Sequence, residues 1–445
     1  MEHADTLIEA RWVVPVEPAG AVLEAHAVAI RGSDIVAIGP AAEIAARFRA
    51  DKRVRLDEHV LIPGLVNLHT HAAMALMRGL ADDLALMDWW RNHIFPAEAQ
   101  LVSPAFVRDG TLLACAEMLR GGITCFGDMY FFPDAVAQAA LEAGMRAALG
   151  MIVIEMPSPY AGDARDYLAK GLAMRDAFRD EPLLSFCIAP HAPYTVSDST
   201  FERVATYAAE LDVPIHMHLH ETDDEIRESV AAHHTRPIAR LERLGLLGPG
   251  LIAVHAVHLN DAEIDLLAQH GCSVAHCPSS NLKLGSGIAP VRAMLAKGIN
   301  VGLGTDGAAS NNRLDIFTEM RTGALLAKGA SGDATAVPAH AALHMATLAG
   351  ARALGIDDRV GSLRIGKRAD ITAVRVADLE LTPLYDPVSH LVYAAGREHV
   401  THVWVNGALK LEERHLTGID MRELHLKAAL WKERIEARER GVAIE

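Results

Sequence analysis

Between residues 64 and 306 short apolar stretches alternate, again and again, with longer segments of helical periodicity. The apolar stretches are "GLVNLHTH", "ITCFGDM", "AALGMIVI", "LLSFCIAP", "VPIHMHLH", "LIAVHAVHL", "CSVAHCPS" and "INVGLGTD". Between them lie helix-like segments such as "AFVRDGTLLACAEMLRGG", "FERVATYAAELD" and "PVRAMLAKG". Strands that are apolar along nearly their whole length belong to a parallel sheet covered on both faces. Eight of them with intervening helices predict an α/β fold, a (β/α)8 TIM-type barrel over residues 63–368.

The two ends of the chain follow a different rhythm. The first sixty residues read as short strands, "LIEARWVVPV", "EAHAVAIRGSDIVAIG" and "RVRLDEHVLIPG", with a turn at Gly32-Ser33-Asp34. After residue 368 strands return in "ADITAVRV" and "VTHVWVNGALK", and "MRELHLKAALWKERIEARER" reads as a surface helix with a charged face. The simplest account is a small β-sandwich domain built from both termini, residues 1–62 and 369–445, the latter with a C-terminal helix. At 445 residues the chain is long enough for a large core and this smaller one.

Composition narrows the function. A formal charge of −15 argues against nucleic-acid or membrane-surface partners, which call for a basic patch. No apolar run is long enough to span a bilayer. The opening "MEHADTLIEARWVVPVEP" lacks a basic stretch followed by an apolar one, so a cytoplasmic chain is expected. The five cysteines form no C-x-x-C pair and read as reduced, buried thiols.

Barrel active sites form where the strands end, and here those ends are rich in titratable groups. The first strand ends in His69 and His71, the fourth presents His191, and the fifth carries His216, His218 and His220 before Glu221. The sixth offers His255 and His258, the eighth Asp306. Residues i and i+2 share a strand face, so His69 and His71 can aim both rings at one ion. Zinc accepts imidazole nitrogens and leaves a position open for water in catalytic sites. The fifth and eighth strands can complete the set. Spacing alone does not choose among the three fifth-strand histidines, although His216 lies deepest and suits a packed role. Glu221, on the following loop, suits a proton carrier. His258, three residues beyond His255, reads as a loop or core histidine. For Trp89, Trp90, Phe95, Asp128, Tyr130, His276, Ser279 and Asn281, pocket wall and ordinary packing or capping stay open.

The segments "PGLVNLHTH", "HLHET", "HCPSSNLKLGSGIAPV" and "GLGTDGAASNN" closely resemble the amidohydrolase superfamily, over nearly the whole chain. Within it they are similar to the 5-methylthioadenosine/S-adenosylhomocysteine deaminases of the chlorohydrolase-like branch. The resemblance implies a metal-dependent hydrolytic deamination of adenosine-type nucleosides (5′-methylthioadenosine, S-adenosylhomocysteine, adenosine) to the inosine analogue and ammonia. It places the metal ligands at His69, His71, His218 and Asp306, and the acid/base at Glu221. His255 falls on the histidine that contacts the hydrolytic water, Glu98 in "IFPAEAQ" on the holder of the ribose hydroxyls, and His191 on the purine contact. Asp306 doubles as base, and Glu221 and Asp306 both touch the substrate. Binuclear members bridge two metals through a strand-four lysine; "LLSFCIAPHAPYT" has none, so one divalent ion per subunit, zinc, is expected.

The resemblance further implies a small-molecule nucleoside as partner and a homo-oligomer. Relatives that grip an amino-acid carboxylate often carry an arginine after the "GMR" of strand three. Here Gly150 and Met151 follow, and Arg146 can face the helices, which favours a methylthio or hydroxyl 5′ group. The alternative on the same scaffold is a guanine- or triazine-type aminohydrolase or chlorohydrolase. The zinc cytidine-deaminase fold is excluded, because no H-x-E is paired with P-C-x-x-C. A metallobarrel without catalysis would have lost a ligand or the proton carrier, and neither is missing.

Overall fold

A computed structural model describes residues 1–84 and 86–439. The chain opens with β1 (Glu2–Val13), β2 (Leu23–Arg31), β3 (Asp34–Pro40) and β4 (Phe48–Pro63). One residue past β4 the second sheet begins with β5 (Leu65–Thr70). It continues through β6 (Ile123–Asp128), β7 (Arg146–Val153), β8 (Leu184–Pro190), β9 (Ile215–Leu219), β10 (Leu251–His255), β11 (Ser273–His276) and β12 (Asn300–Leu303). The strands run parallel in the order β5 to β12. The eight apolar stretches of the sequence are thus the eight barrel strands. They read as continuous apolar runs because β5, β6, β7, β9, β10 and β11 are buried at every position.

Side chains help to close the ring between β5 and β12. The Asn67 carboxamide donates to Thr305 Oγ1 at 2.8 Å and accepts the Thr305 N–H at 2.9 Å, in the manner of a strand neighbour. Just beyond, the Asp306 N–H donates to the His69 carbonyl at 3.0 Å. This seam sets the first and eighth strand ends side by side.

The termini meet as expected. β13 (Ile371–Arg375), β14 (Val400–Val405), β15 (Ala408–Glu412) and β16 (His415–Leu416) join the opening strands in one eight-stranded sheet, ordered β16-β15-β14-β13-β4-β1-β2-β3. One core gathers Ile30 and Ile35 from one end of that sheet with Ile371 and Trp404 from the other. A buried ion pair ties sheet to barrel: Arg146, at the start of β7, donates to both carboxylate oxygens of Asp370 at 3.1 Å. Arg146 therefore points away from the barrel mouth, toward the terminal sheet rather than only toward helices. The last helix, Met421–Glu439, packs Trp431 edge-on against Phe106 and donates its indole N–H to Asp109 at 3.0 Å. Residues 440–445 of the C-terminal segment lie outside the described residues. Among the described residues no helix is long and apolar enough to cross a membrane.

Candidate metal centre and active-site pocket

Four side chains from three regions of the chain meet at the barrel mouth. His69 and His71 come from the end of β5, His218 from β9, and Asp306 from just past β12. Each offers one donor atom, and the four atoms lie within 4.8 Å of one another. His69 Nε2 is 3.2 Å from His218 Nε2 and 3.4 Å from Asp306 Oδ1, which is itself 3.2 Å from His71 Nε2. Donors at the corners of a tetrahedron around zinc, with bonds of about 2.0–2.1 Å, stand about 3.3 Å apart. Three edges of this cluster, at 3.2, 3.4 and 3.2 Å, have that length.

The atoms behind the donors fix their direction. His71 Nδ1 donates to the Met129 carbonyl at 2.5 Å and His218 Nδ1 to the His191 carbonyl at 2.8 Å. Both rings therefore turn Nε2 inward. His69 Nδ1 is bonded to His216 Nε2 at 3.0 Å, so the deepest of the fifth-strand histidines stands behind His69 and outside the donor cluster. Ser280 and Ser310 each donate a hydroxyl to Asp306 Oδ2, at 2.6 and 2.7 Å, leaving Oδ1 to face the imidazoles. Such outer partners orient metal ligands and tune their basicity. Burial pushes the His69 imidazole down to about 4. For His71 burial acts in the same direction, yet bonds and charge from Asp306 and the Met129 carbonyl lift it to about 9. Burial would raise the Asp306 carboxyl, but the two imidazoles hold it well below the usual range. The donor set fits a divalent cation: three imidazoles and an ionised carboxylate converge on one point, and a bound cation would replace the proton that Asp306 holds on His71.

His220 leaves this group. Its backbone turns into the left-handed region at φ +55°, and its ring bonds the His258 carbonyl and the Ile238 N–H, at 3.2 and 3.3 Å. The turn swings Glu221 into the pocket, where burial raises its carboxyl above the ordinary value. Glu221 Oε1 accepts the Ser286 hydroxyl at 3.3 Å, and Oε2 lies 3.6 Å from His255 Nε2. His255 is held from behind, its Nδ1 bonded to Asn281 Oδ1 at 2.8 Å. His255 and Asp306 also adopt left-handed backbone, at φ +71° and +60°. Such conformations cost energy in non-glycine residues and cluster at functional sites. His258 stays in the loop, between the Ser286 carbonyl and Asp223.

Above the donors opens a cavity of about 840 Å³, whose lining includes Glu98, His191, Glu221, His255 and Asp306. One wall is irregular helix: at Trp89–Ile94 the helix widens, the Phe95 N–H reaching back five residues to the Trp90 carbonyl. Wide turns of this kind recur at functional sites. This one carries Trp89, Trp90 and Phe95 into the pocket wall, with Trp90 parallel to His191 at 6.2 Å. Glu98, one turn on, accepts the Tyr130 hydroxyl at 2.7 Å, and burial pushes its carboxyl up to about 7. His191 Nδ1 pairs with Thr195 Oγ1 at 3.0 Å. Tyr130 is thus a wall residue, whereas Asp128 bonds the Ala72 N–H at 2.7 Å and anchors the segment after β5. Among the described residues the lining contains neither lysine nor arginine.

Residues 60–410 match the amidohydrolase family. The chain belongs to the amidohydrolase family. This amidohydrolase is 46% identical over 434 residues to a 5-methylthioadenosine/S-adenosylhomocysteine deaminase of Saccharophagus degradans, covering 98% of this chain and 97% of the relative. It superposes with a TM-score of 0.97, at 50% identity, on the crystal structure of an adenosine deaminase from Xanthomonas campestris with bound zinc; coverage is 98% and 99%. Atrazine chlorohydrolase TrzN from Arthrobacter aurescens, complexed with zinc, stands further off, at 25% identity and a TM-score of 0.89 over 96% of this chain and all of that one.

Several groups that shape this amidohydrolase's site carry no sequence signal of their own. Ser280, Ser286 and Ser310 lie inside the family segments quoted above, yet no period marks their hydroxyls as partners of Asp306 and Glu221. Of the residues left open, Asn281 backs His255, whereas His276 packs outward beside Gly323 of the helix Ile316–Ser331. The Ser279 N–H donates to Glu319 at 3.0 Å, a turn-fixing role.

Proposed function

We propose that this amidohydrolase deaminates the adenine ring of adenosine-type nucleosides by metal-dependent hydrolysis, giving the inosine analogue and ammonia. The observation that carries the reading is the convergence of His69, His71, His218 and Asp306 with Glu221 beside them in one pocket. The relatives named as deaminases, at 46% and 50% identity over almost the full chain, support the same substrate class. The triazine enzyme, at half that identity, lends the alternative less weight.

The four donors would hold one divalent cation, zinc in this reading. When bound, it would supply a water ionised near neutral pH and a Lewis acid. The remaining chemistry belongs to side chains. Asp306 accepts the proton of the attacking water. Glu221, whose carboxyl burial raises above its ordinary value, delivers a proton to N1 of the ring and regains one from the C6 hydroxyl as the carbonyl forms, while the proton on Asp306 goes to the departing ammonia. His255, steadied by Asn281, hydrogen-bonds the attacking oxygen. Glu98 takes the ribose hydroxyls, with Tyr130 fixing one of its oxygens, and His191 contacts the purine beside Trp90. A wall without lysine or arginine favours an uncharged 5′ substituent, methylthio or hydroxyl, over an amino-acid carboxylate.

The same proposal divides the chain into a barrel, residues 63–368, and a terminal β domain, residues 1–62 and 369–445. The end of β4 at Pro63 and the start of β5 at Leu65 support that boundary. It also places the enzyme in the cytoplasm as a homo-oligomer that binds no nucleic acid, in keeping with five buried free thiols and the charge of −15. An ammonia-release screen over adenosine, 5′-methylthioadenosine, S-adenosylhomocysteine, guanine and a triazine tests the substrate class. The highest kcat/KM is expected for an adenosine-type compound.

A further inference from the structure

Glu225 is a carboxylate that the chemistry above leaves unused, yet it is buried directly behind the proton carrier. It lies in the first turn of the helix Asp223–His233, where its own N–H is capped by Thr222 Oγ1 at 3.3 Å. Its Oε1 accepts the N–H of His220 and its Oε2 the N–H of Glu221, both at 2.9 Å.

One carboxylate cannot ordinarily receive two consecutive strand amides, because they point to opposite sides of an extended chain. The left-handed backbone at His220 turns them to the same side, where they meet the two oxygens of the Glu225 carboxyl. That turn also decides where the Glu221 side chain goes. The His220 end has other anchors, since its carbonyl accepts the Val257 and His258 N–H groups and its ring is bonded on both nitrogens. The bond from the Glu221 N–H to Glu225 Oε2 restrains the residue that carries the proton.

We propose that Glu225 is a positioning residue: its carboxylate locks the left-handed turn at His220 and so aims Glu221 into the pocket. The inference rests on Glu221 being the proton carrier. Because His220 keeps its other anchors, loss of the Glu225 carboxylate leaves strand and metal donors in place and frees only the aim of Glu221.

The test uses metal-loaded enzyme with 5′-methylthioadenosine, comparing Glu225→Ala and Glu225→Gln in the parent and in a Glu221→Gln background. Misplacement of a reacting group by about 1 Å costs on the order of 100-fold in rate. Glu225→Ala is therefore expected to lower kcat about 100-fold with KM, metal content and Tm close to parent, and Glu225→Gln, which keeps one acceptor, to fall between. In the Glu221→Gln background the same substitutions should change the residual rate less than about threefold, because residues acting as a unit are not additive. Equal losses in both backgrounds, an unchanged kcat, or loss of metal together with activity would overturn the proposal. Should Glu225→Ala not fold, Glu225→Gln carries the same comparison. A Glu221→Gln enzyme as fast as the parent would instead remove the proton-carrier reading, whatever Glu225 does.

Discussion

The Nε2 atoms of His69 and His218 face each other at 3.2 Å although 149 residues separate them in the chain. His218 donates its Nδ1–H to the His191 carbonyl, and its Nε2 lone pair points at its neighbour. Asp306 Oδ1 and His71 Nε2 close the same small space. Such a concentration of electron-rich atoms is what a divalent cation relieves, and it explains why the strand ends are so well braced.

Chelation should accordingly abolish turnover, and added zinc should restore it. A ligand bound only by the folded state, at a thousandfold excess over its Kd, adds about 4 kcal/mol of stability. The metal-free protein should therefore melt several degrees lower. Scanning calorimetry with and without a chelator checks both parts, and an unchanged Tm with full activity would contradict the site.

Glu221→Gln removes the proposed proton carrier but touches none of the four donors. Metal content should stay at one ion per subunit while kcat falls by about 10²–10⁴-fold, the usual worth of a positioned acid or base. Elemental analysis and steady-state kinetics on one preparation separate this outcome from simple loss of the metal.

The buried Glu98 carboxyl gives stability a pH dependence. Its folded value of about 7 lies above the ordinary 4.5, so between these limits the folded state holds a proton that the unfolded state has released. That contribution is fully present below about 4.5 and is lost as pH rises through about 7. Glu98→Gln cannot titrate, so the parent's stability relative to this variant should decline with rising pH, by at most about 1.4 kcal/mol per unit. Denaturant midpoints at pH 5, 6 and 7 test it; parallel curves would show that Glu98 does not titrate there.

Arg146→Ala separates architecture from substrate binding. Removing one member of a buried pair costs about 3–5 kcal/mol, because Asp370 is left charged and enclosed. Stability should drop, whereas the ratio of kcat/KM for S-adenosylhomocysteine to that for 5′-methylthioadenosine should not move. A selective loss on S-adenosylhomocysteine would assign Arg146 to the substrate's carboxylate instead.

Much of this was legible in the residues. The barrel strands stood out because burial on both faces makes them continuously apolar, and His69 and His71 because i and i+2 share a face. The fifth-strand member of the donor cluster was not readable from spacing, since His216, His218 and His220 share one face in an ideal strand; the resemblance pointed to His218. Only the fold shows that His216 stands behind His69 and that a left-handed turn removes His220. The serines around Asp306, the Glu225 clamp and the Arg146–Asp370 pair had no signal either. They are single polar contacts between distant segments, and neither periodicity nor composition records them.

The most direct test of the account is ammonia release from 5′-methylthioadenosine and adenosine by the zinc-loaded enzyme. One ammonia per nucleoside consumed is expected, with the inosine analogue as the other product and turnover lowered about 10²–10⁴-fold in Glu221→Gln. No release from either nucleoside, with turnover of guanine or a triazine, would contradict it.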